Sequence, residues 1–273
     1  MYHRWLDRWD ERRVQKGNQL KREVAFALGA ELAFPEEDLC SNLTKFCDLA
    51  DQAVQDPTFF DEPAEQAQDF EREKDRVKFS SGIQSDTSEN NTVWASMSES
   101  GSSKKALVVF HHWNASKRQH QIASFFSKRG VTVVEMAMPY HFERSRPGST
   151  HADYMLSSNI GRTVQSIRQA VLDGRKLIRW LKSQGYGEIS VLGMSLGSWV
   201  AGLVAAHDNS VSKASLFLTK NNLKFSITSS LSEFMETSIP KFSSDCSSDG
   251  KCEIKSPAVS WYCNSRPVTI TAE

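Results

Sequence analysis

The pentapeptide Gly193-Met194-Ser195-Leu196-Gly197 sets one hydroxyl between two glycines, and its flanks say what that hydroxyl can do. Before it, Ile189-Ser190-Val191-Leu192-Gly193 is a short apolar strand; after it, Leu196 to His207 is a helix rich in small residues. A serine at such a strand-to-helix turn occupies a tight, strained elbow, and the glycines let strand and helix pass closely. The pentapeptide alone arises by chance in about one chain in ten of this length. The strand and the helix give it weight, and they make Ser195 the candidate nucleophile.

A serine hydroxyl is weakly nucleophilic at neutral pH. It needs a base, a group to orient the base, and N–H donors for the oxyanion. Leu196 opens the helix, so its backbone N–H points into the site. A second N–H is expected from the loop after the apolar run Lys105–Phe110, supplied by Trp113 or Asn114. His141, in Pro139-Tyr140-His141, follows another strand on the carboxyl edge where α/β sheets hold their ligands. It is a candidate substitute base, against the plainer reading of a loop-packing histidine. His111 and His112 are neighbours on a strand end, so their side chains diverge and do not share a metal, though one of them can line an acyl pocket. Arg168, Asp173 and Arg175 read as structural ion-pairing residues of a long helix.

These residues need a frame. Ala106 to Phe110 is continuously apolar, as a strand buried on both faces should be. A helix around Gln119 to Lys128 follows, then a strand within Gly130–Met138, then a long helix capped near Ser157 or Ser158 with apolar positions from Ile160 to Leu181, stopped by Gly185-Tyr186-Gly187. The strand before Ser195, the small-residue helix and the run Ala214–Leu218 complete the alternation. It predicts an α/β class: a mostly parallel sheet with helices on both faces. Ahead of it, residues 1–76 read as an N-terminal helical cover and linker, with two amphipathic helices broken near Pro35. Residues 77–219 form the α/β core, beginning with β-like runs at 77–83 and 91–97. Residues 220–273 are an atypical serine-rich tail with the composition of a disordered segment.

Residues 105 to about 218 resemble the α/β-hydrolase superfamily, near its dienelactone-hydrolase and acetyl-esterase-like branch. The likeness rests on LVVFHHWNAS at 107–116, MPYHFERSRPG at 138–148 and RQAVLDGRKLIRWLKSQGYGEISVLGMSLGSWVA at 168–201, less than half of the chain. The resemblance implies an α/β-hydrolase fold and hydrolysis of an ester, thioester or similar acyl bond through an acyl-enzyme on Ser195, with no metal or organic cofactor. It also implies a triad in the chain order serine, acid, histidine. By that order Asp245 or Asp249 supplies the acid, but no histidine follows His207, so the implied base is missing. Three expectations follow from this departure. The reading frame is altered or the domain truncated near Lys220, leaving the fold incomplete. The chain is a non-catalytic pseudohydrolase that binds or scaffolds. Or an open sheet edge after Ala214–Leu218 leaves it poorly folded.

Composition narrows the partners. The chain has 33 basic and 33 acidic residues, so no net charge draws it to nucleic acid or an anionic surface, and a neutral small-molecule acyl substrate suits it better. The charged N-terminus lacks the apolar stretch of a secretory signal, and no run is long enough to span a membrane, so a soluble, cytoplasmic protein is expected. Five cysteines without CxxC spacing are expected to be free thiols.

Overall fold

A computed structural model describes residues 24–35, 42–61, 69–101, 104–218 and 223–227 of the chain, with residues 7–9, 11–12 and 15 ahead of them. The strands are β1 (Glu71–Glu73), β2 (Arg76–Ser80), β3 (Thr92–Ser98), β4 (Lys105–Phe110), β5 (Thr132–Met136), β6 (Glu188–Met194), β7 (Val211–Leu218) and β8 (Leu223–Ile227). The helices are α1 (Ala30–Ala33), α2 (Leu43–Gln55), α3 (His120–Ser127), α4 (Ile160–Ser183) and α5 (Leu196–His207).

The eight strands among the described residues join one sheet in the order β1-β2-β3-β5-β4-β6-β7-β8. The central four, β5, β4, β6 and β7, are parallel, while β1, β2 and β3 extend one edge and β8 the other in antiparallel pairing. This is the mostly parallel sheet with helices on both faces that the strand–helix alternation predicts. Ala106, Val108, Phe110, Val134 and Met136 pack under α4 and α5, whereas Leu107, Val109, Val133 and Leu192 pack against Ile122, Ala123 and Phe126 of α3. With both faces covered, β5 is buried at every position, while β3, in the antiparallel extension, alternates between buried and half-buried residues.

The long helix α4 starts at Asn159, whose side chain accepts the Arg162 N–H at 2.9 Å, rather than at Ser157 or Ser158. Ser157 serves the turn before it instead, its Oγ accepting the Asn159 N–H. The N-terminal segment lies across this helix start. The Ala27 N–H donates to the Ser158 carbonyl, and the carbonyls of Ala27 and Leu28 accept the N–H groups of Ile160 and Gly161, which the helix itself leaves unpaired. Further along α4, Arg168 donates to the Phe59 carbonyl and Arg175 to the Phe60 carbonyl and Asp61. The arginines read as structural therefore tie the segment after α2 to the core.

Asp173 goes deeper. It forms a fully buried ion pair with Arg144 at 2.9 Å, and its Oδ1 accepts from the Ser81 hydroxyl and the Gly82 N–H. Arg144 also donates to the carbonyls of Asn90 and Ala137. Burial raises the Asp173 carboxyl above its ordinary range and lowers the Arg144 guanidinium below its own. The network pins the loop after β5 to the sheet and to α4.

Cys47 is a free, exposed thiol, while Cys40, Cys246, Cys252, Cys263, Asp245 and Asp249 lie outside the described residues. Among the described residues no helix is long and apolar enough to cross a membrane.

Candidate active site at the carboxyl ends of the parallel strands

Ser195 joins β6 to α5 with φ 51° and ψ −118°, a backbone region that residues with a side chain rarely occupy. Its N–H donates to the Phe217 carbonyl at 2.7 Å, and its carbonyl accepts the Ser198 N–H at 2.8 Å, so neighbouring chain holds the strained turn from both sides. The flanking glycines are steric necessities. A Cβ on Gly193 would lie 2.3 Å from the Gly197 carbonyl oxygen, and a Cβ on Gly197 would lie 2.2 Å from the Phe110 oxygen and 2.4 Å from the His111 oxygen. The elbow is thus pressed against the end of β4, beside the loop that begins at His111.

Ser195 is half-buried, and its hydroxyl has no hydrogen-bond partner among the described residues. Leu196 is the first residue of a twelve-residue helix, so its N–H has no intrahelical acceptor and stands at the positive end of the helix dipole. A helix start of this kind favours negative charge near it.

Among the described residues, five other than glycine have positive φ: Lys74, Asn114, Tyr140, Phe142 and Ser195. Lys74 turns the β1–β2 hairpin. The other four stand after β4, β5 and β6, so backbone strain gathers on one edge of the sheet, the edge expected to hold a ligand.

Trp113 and Asn114 are both fixed there. The Trp113 indole donates to the Ala152 carbonyl at 3.1 Å, and the Asn114 side-chain oxygen accepts the Ala152 N–H at 3.2 Å. The two backbone amides differ. Asn114 N–H is engaged, donating to His141 Nε2 at 2.8 Å, whereas the Trp113 N–H has no acceptor among the described residues.

His141 is buried, with both ring nitrogens in use. Nδ1 lies 2.8 Å from the Pro139 carbonyl, which can only accept, so Nδ1 carries the proton and Nε2 accepts from Asn114. Burial lowers its pKa to about 4. The lone pair a general base would use is already occupied, which speaks against His141 in that role and for its loop-packing reading. His111 repeats the pattern: Nδ1 lies 2.9 Å from the His112 carbonyl, and Nε2 accepts the Met138 N–H at 3.2 Å. It too is buried, and its pKa is held well below the usual 6.5.

Glu135 was not anticipated from the sequence, because its place in an apolar strand hid it. Its Oε2 accepts the Gln119 N–H at the start of α3 at 2.7 Å, its Oε1 has no partner, and burial raises its pKa to about 7. Glu135 and the two histidines oppose one another in acid. Between pH 6.5 and about 4 the unfolded chain protonates histidines that the fold keeps neutral, so stability falls with falling pH. Between about 7 and 4.5 the folded chain protonates a Glu135 that the unfolded chain leaves charged, so stability rises with falling pH. Glu135→Gln removes only the second effect. Its melting temperature is expected to fall more steeply than that of the unaltered chain from pH 7 to 5, by up to about 1.4 kcal/mol of stability per pH unit. Parallel melting curves across that range would show that Glu135 ionises normally.

Residues 111–225 match the profile of the family described as alpha/beta hydrolase domain containing 18. No curated protein sequence is significantly similar to the chain. Among solved structures, it is similar to the α/β-hydrolase GrgF from a Penicillium species, with 19% identity and a TM-score of 0.39 over 51% of this chain and 43% of that one. It is similar to a cold-adapted esterase from an Arctic intertidal metagenomic library, with 17% identity and a TM-score of 0.39 over 55% of this chain and 64% of the other. It is also similar to acetyl xylan esterase 1 from a Thermoanaerobacterium species, with 17% identity and a TM-score of 0.42 over 62% and 56%. The matched region thus spans less than two thirds of each of these proteins. With the profile match over residues 111–225, the mostly parallel core and the elbow between β6 and α5 give this chain the fold of an α/β-hydrolase.

Proposed function

We propose that the protein is a serine hydrolase that cleaves an ester, thioester or similar acyl bond of a small, neutral substrate. Ser195 Oγ attacks the carbonyl carbon, its proton passes to a base, and the N–H groups of Leu196 and Trp113 receive the oxyanion. The leaving alcohol or thiol takes a proton as the acyl-enzyme forms, and water then releases the acid. No metal or organic cofactor enters this scheme. The observation that carries it is the conformation of Ser195, strained at φ 51° and locked between two glycines whose hydrogens face backbone. A turn with no chemistry to do has no need of a residue with a Cβ there.

A specific observation favours a second reading, a pseudohydrolase that binds or scaffolds without turnover. His141, the candidate base on the site's edge, has both nitrogens engaged, and the Ser195 hydroxyl has no partner among the described residues. A fluorophosphonate probe separates the two. The full chain is expected to be labelled on Ser195, with the adduct located by peptide mass spectrometry and lost in Ser195→Ala. A cooperatively melting protein that takes up no probe would support the pseudohydrolase.

A further inference from the structure

We infer that His141 and His111 form a reciprocal brace that positions the oxyanion side of the site, with His141 acting as a positioning residue for the Trp113–Asn114 turn. This rests on the hydrolase reading above and assigns His141 work other than that of a base.

The brace is symmetric in its chemistry. His111 belongs to the loop after β4 and accepts a backbone N–H from Met138, at the end of β5. His141 belongs to the loop after β5 and accepts a backbone N–H from Asn114, in the loop after β4. Each ring fixes its tautomer by donating Nδ1–H to a carbonyl of its own loop, Pro139 for His141 and His112 for His111. The rings meet edge to face, 4.6 Å between centroids, with Phe142 packed on His111 at 4.7 Å.

The backbone shows what the brace holds in place. Asn114, Tyr140 and Phe142 all have positive φ, so both loops are strained where the two histidines tie them together. His111 Nδ1–H holds the His112 carbonyl, which shares its peptide plane with the Trp113 N–H, and His141 holds the next plane through the Asn114 N–H, so the two rings fix the backbone on both sides of Trp113 and with it the direction of an N–H that has no acceptor among the described residues. Every charged or titratable group acting on the two rings is basic: Arg144 and His112 on His141, and Arg118, His112 and His141 on His111. No carboxylate among the described residues offsets the burial, and the neutral rings are the stable form. A proton on Nε2 of His141 would set two N–H groups head to head and release the turn.

The test compares two variants of the full chain with the unaltered protein. His141→Gln keeps an acceptor within reach of Asn114 and cannot take a proton at neutral or mildly acid pH. His141→Phe keeps the ring volume and removes the acceptor. Two readouts are used at pH 7.5 and at pH 5: the rate of fluorophosphonate labelling and hydrogen exchange of the Asn114 amide. His141→Phe is expected to label about 100-fold more slowly, the cost of losing one oxyanion donor, and to exchange Asn114 rapidly. His141→Gln is expected to recover most of the labelling rate and the protection at both pH values. If Gln and Phe are equally inactive while Gln keeps Asn114 protected, His141 is a base and the inference fails. It fails also if His141→Phe folds and protects Asn114 as before. If the unaltered protein takes no label, the hydrolase reading falls. Hydrogen exchange then decides the brace alone, standing if Gln protects Asn114 and Phe does not, and failing otherwise.

Discussion

Gly197→Ala is expected to destabilise the protein by about 4 kcal/mol or more, while Gly202→Ala on the same helix is expected to be neutral or to stabilise it by up to about 1 kcal/mol. The two substitutions add the same methyl group to α5. At Gly197 it would meet the carbonyl oxygens of Phe110 and His111 at 2.2 Å and 2.4 Å, and backbone at the end of a central strand cannot yield without moving the strand. At Gly202 its nearest neighbour is Leu216 Cδ1 at 3.7 Å, an ordinary contact. Urea denaturation of both variants measures the difference. Equal midpoints would mean that α5 is not pressed against β4, and the elbow geometry would have to be abandoned.

The second large effect is expected at Arg144. Arg144→Met leaves the Asp173 carboxylate fully buried without its cation and is expected to cost about 3–5 kcal/mol. Asp173→Asn keeps an acceptor for the Ser81 hydroxyl and the Gly82 N–H while removing the charge. The double variant is therefore expected to be more stable than Arg144→Met alone, with a coupling of at least about 1 kcal/mol in a double-mutant cycle. Strictly additive losses would show that the two groups do not depend on each other. The result bears on the site because Arg144 closes the loop that starts at Pro139 and carries His141, so its loss is expected to weaken fluorophosphonate labelling too.

Much of the frame could be read from residue order alone. The uninterrupted apolar run of β4 announced a strand covered on both faces, and the stretch from Leu196 to His207 ends where the helix ends. Local rules reached that far because burial on two faces and helical composition are properties of contiguous residues. They did not reach β1, where Glu71-Arg72-Glu73 are all exposed and charged and the strand exists because its backbone pairs with β2. Nor did they give the sheet order, in which β3 pairs with β5 rather than with β4, the next strand in the chain. The strand within Gly130–Met138 begins at Thr132, after Gly130 takes a positive φ of 81° in the preceding turn.

At the site, Ser195 stood out because its motif is contiguous. The pairing of Asn114 with His141 did not, since it joins two loops through space, and a histidine that packs a loop has the same letter as one that moves a proton. Glu135 was passed over for a related reason: one carboxylate in an apolar strand reads as strand, and its cap on α3 appears only in three dimensions.

The direction of β8 sets a condition on whatever completes the site. It runs back along β7, from Leu223 beside Leu218 to Ile227 beside Ala214. Ile227, through Ala214, is level with Val191 in the middle of β6, so β8 points away from the end of the sheet that carries Ser195. At about 3.3 Å per extended residue, that places Ile227 on the order of 10–15 Å short of the elbow along the strand direction. A base delivered from that direction would depend on a return path over the sheet edge or one helical face, and anchoring that path would be as much a requirement for turnover as the imidazole itself.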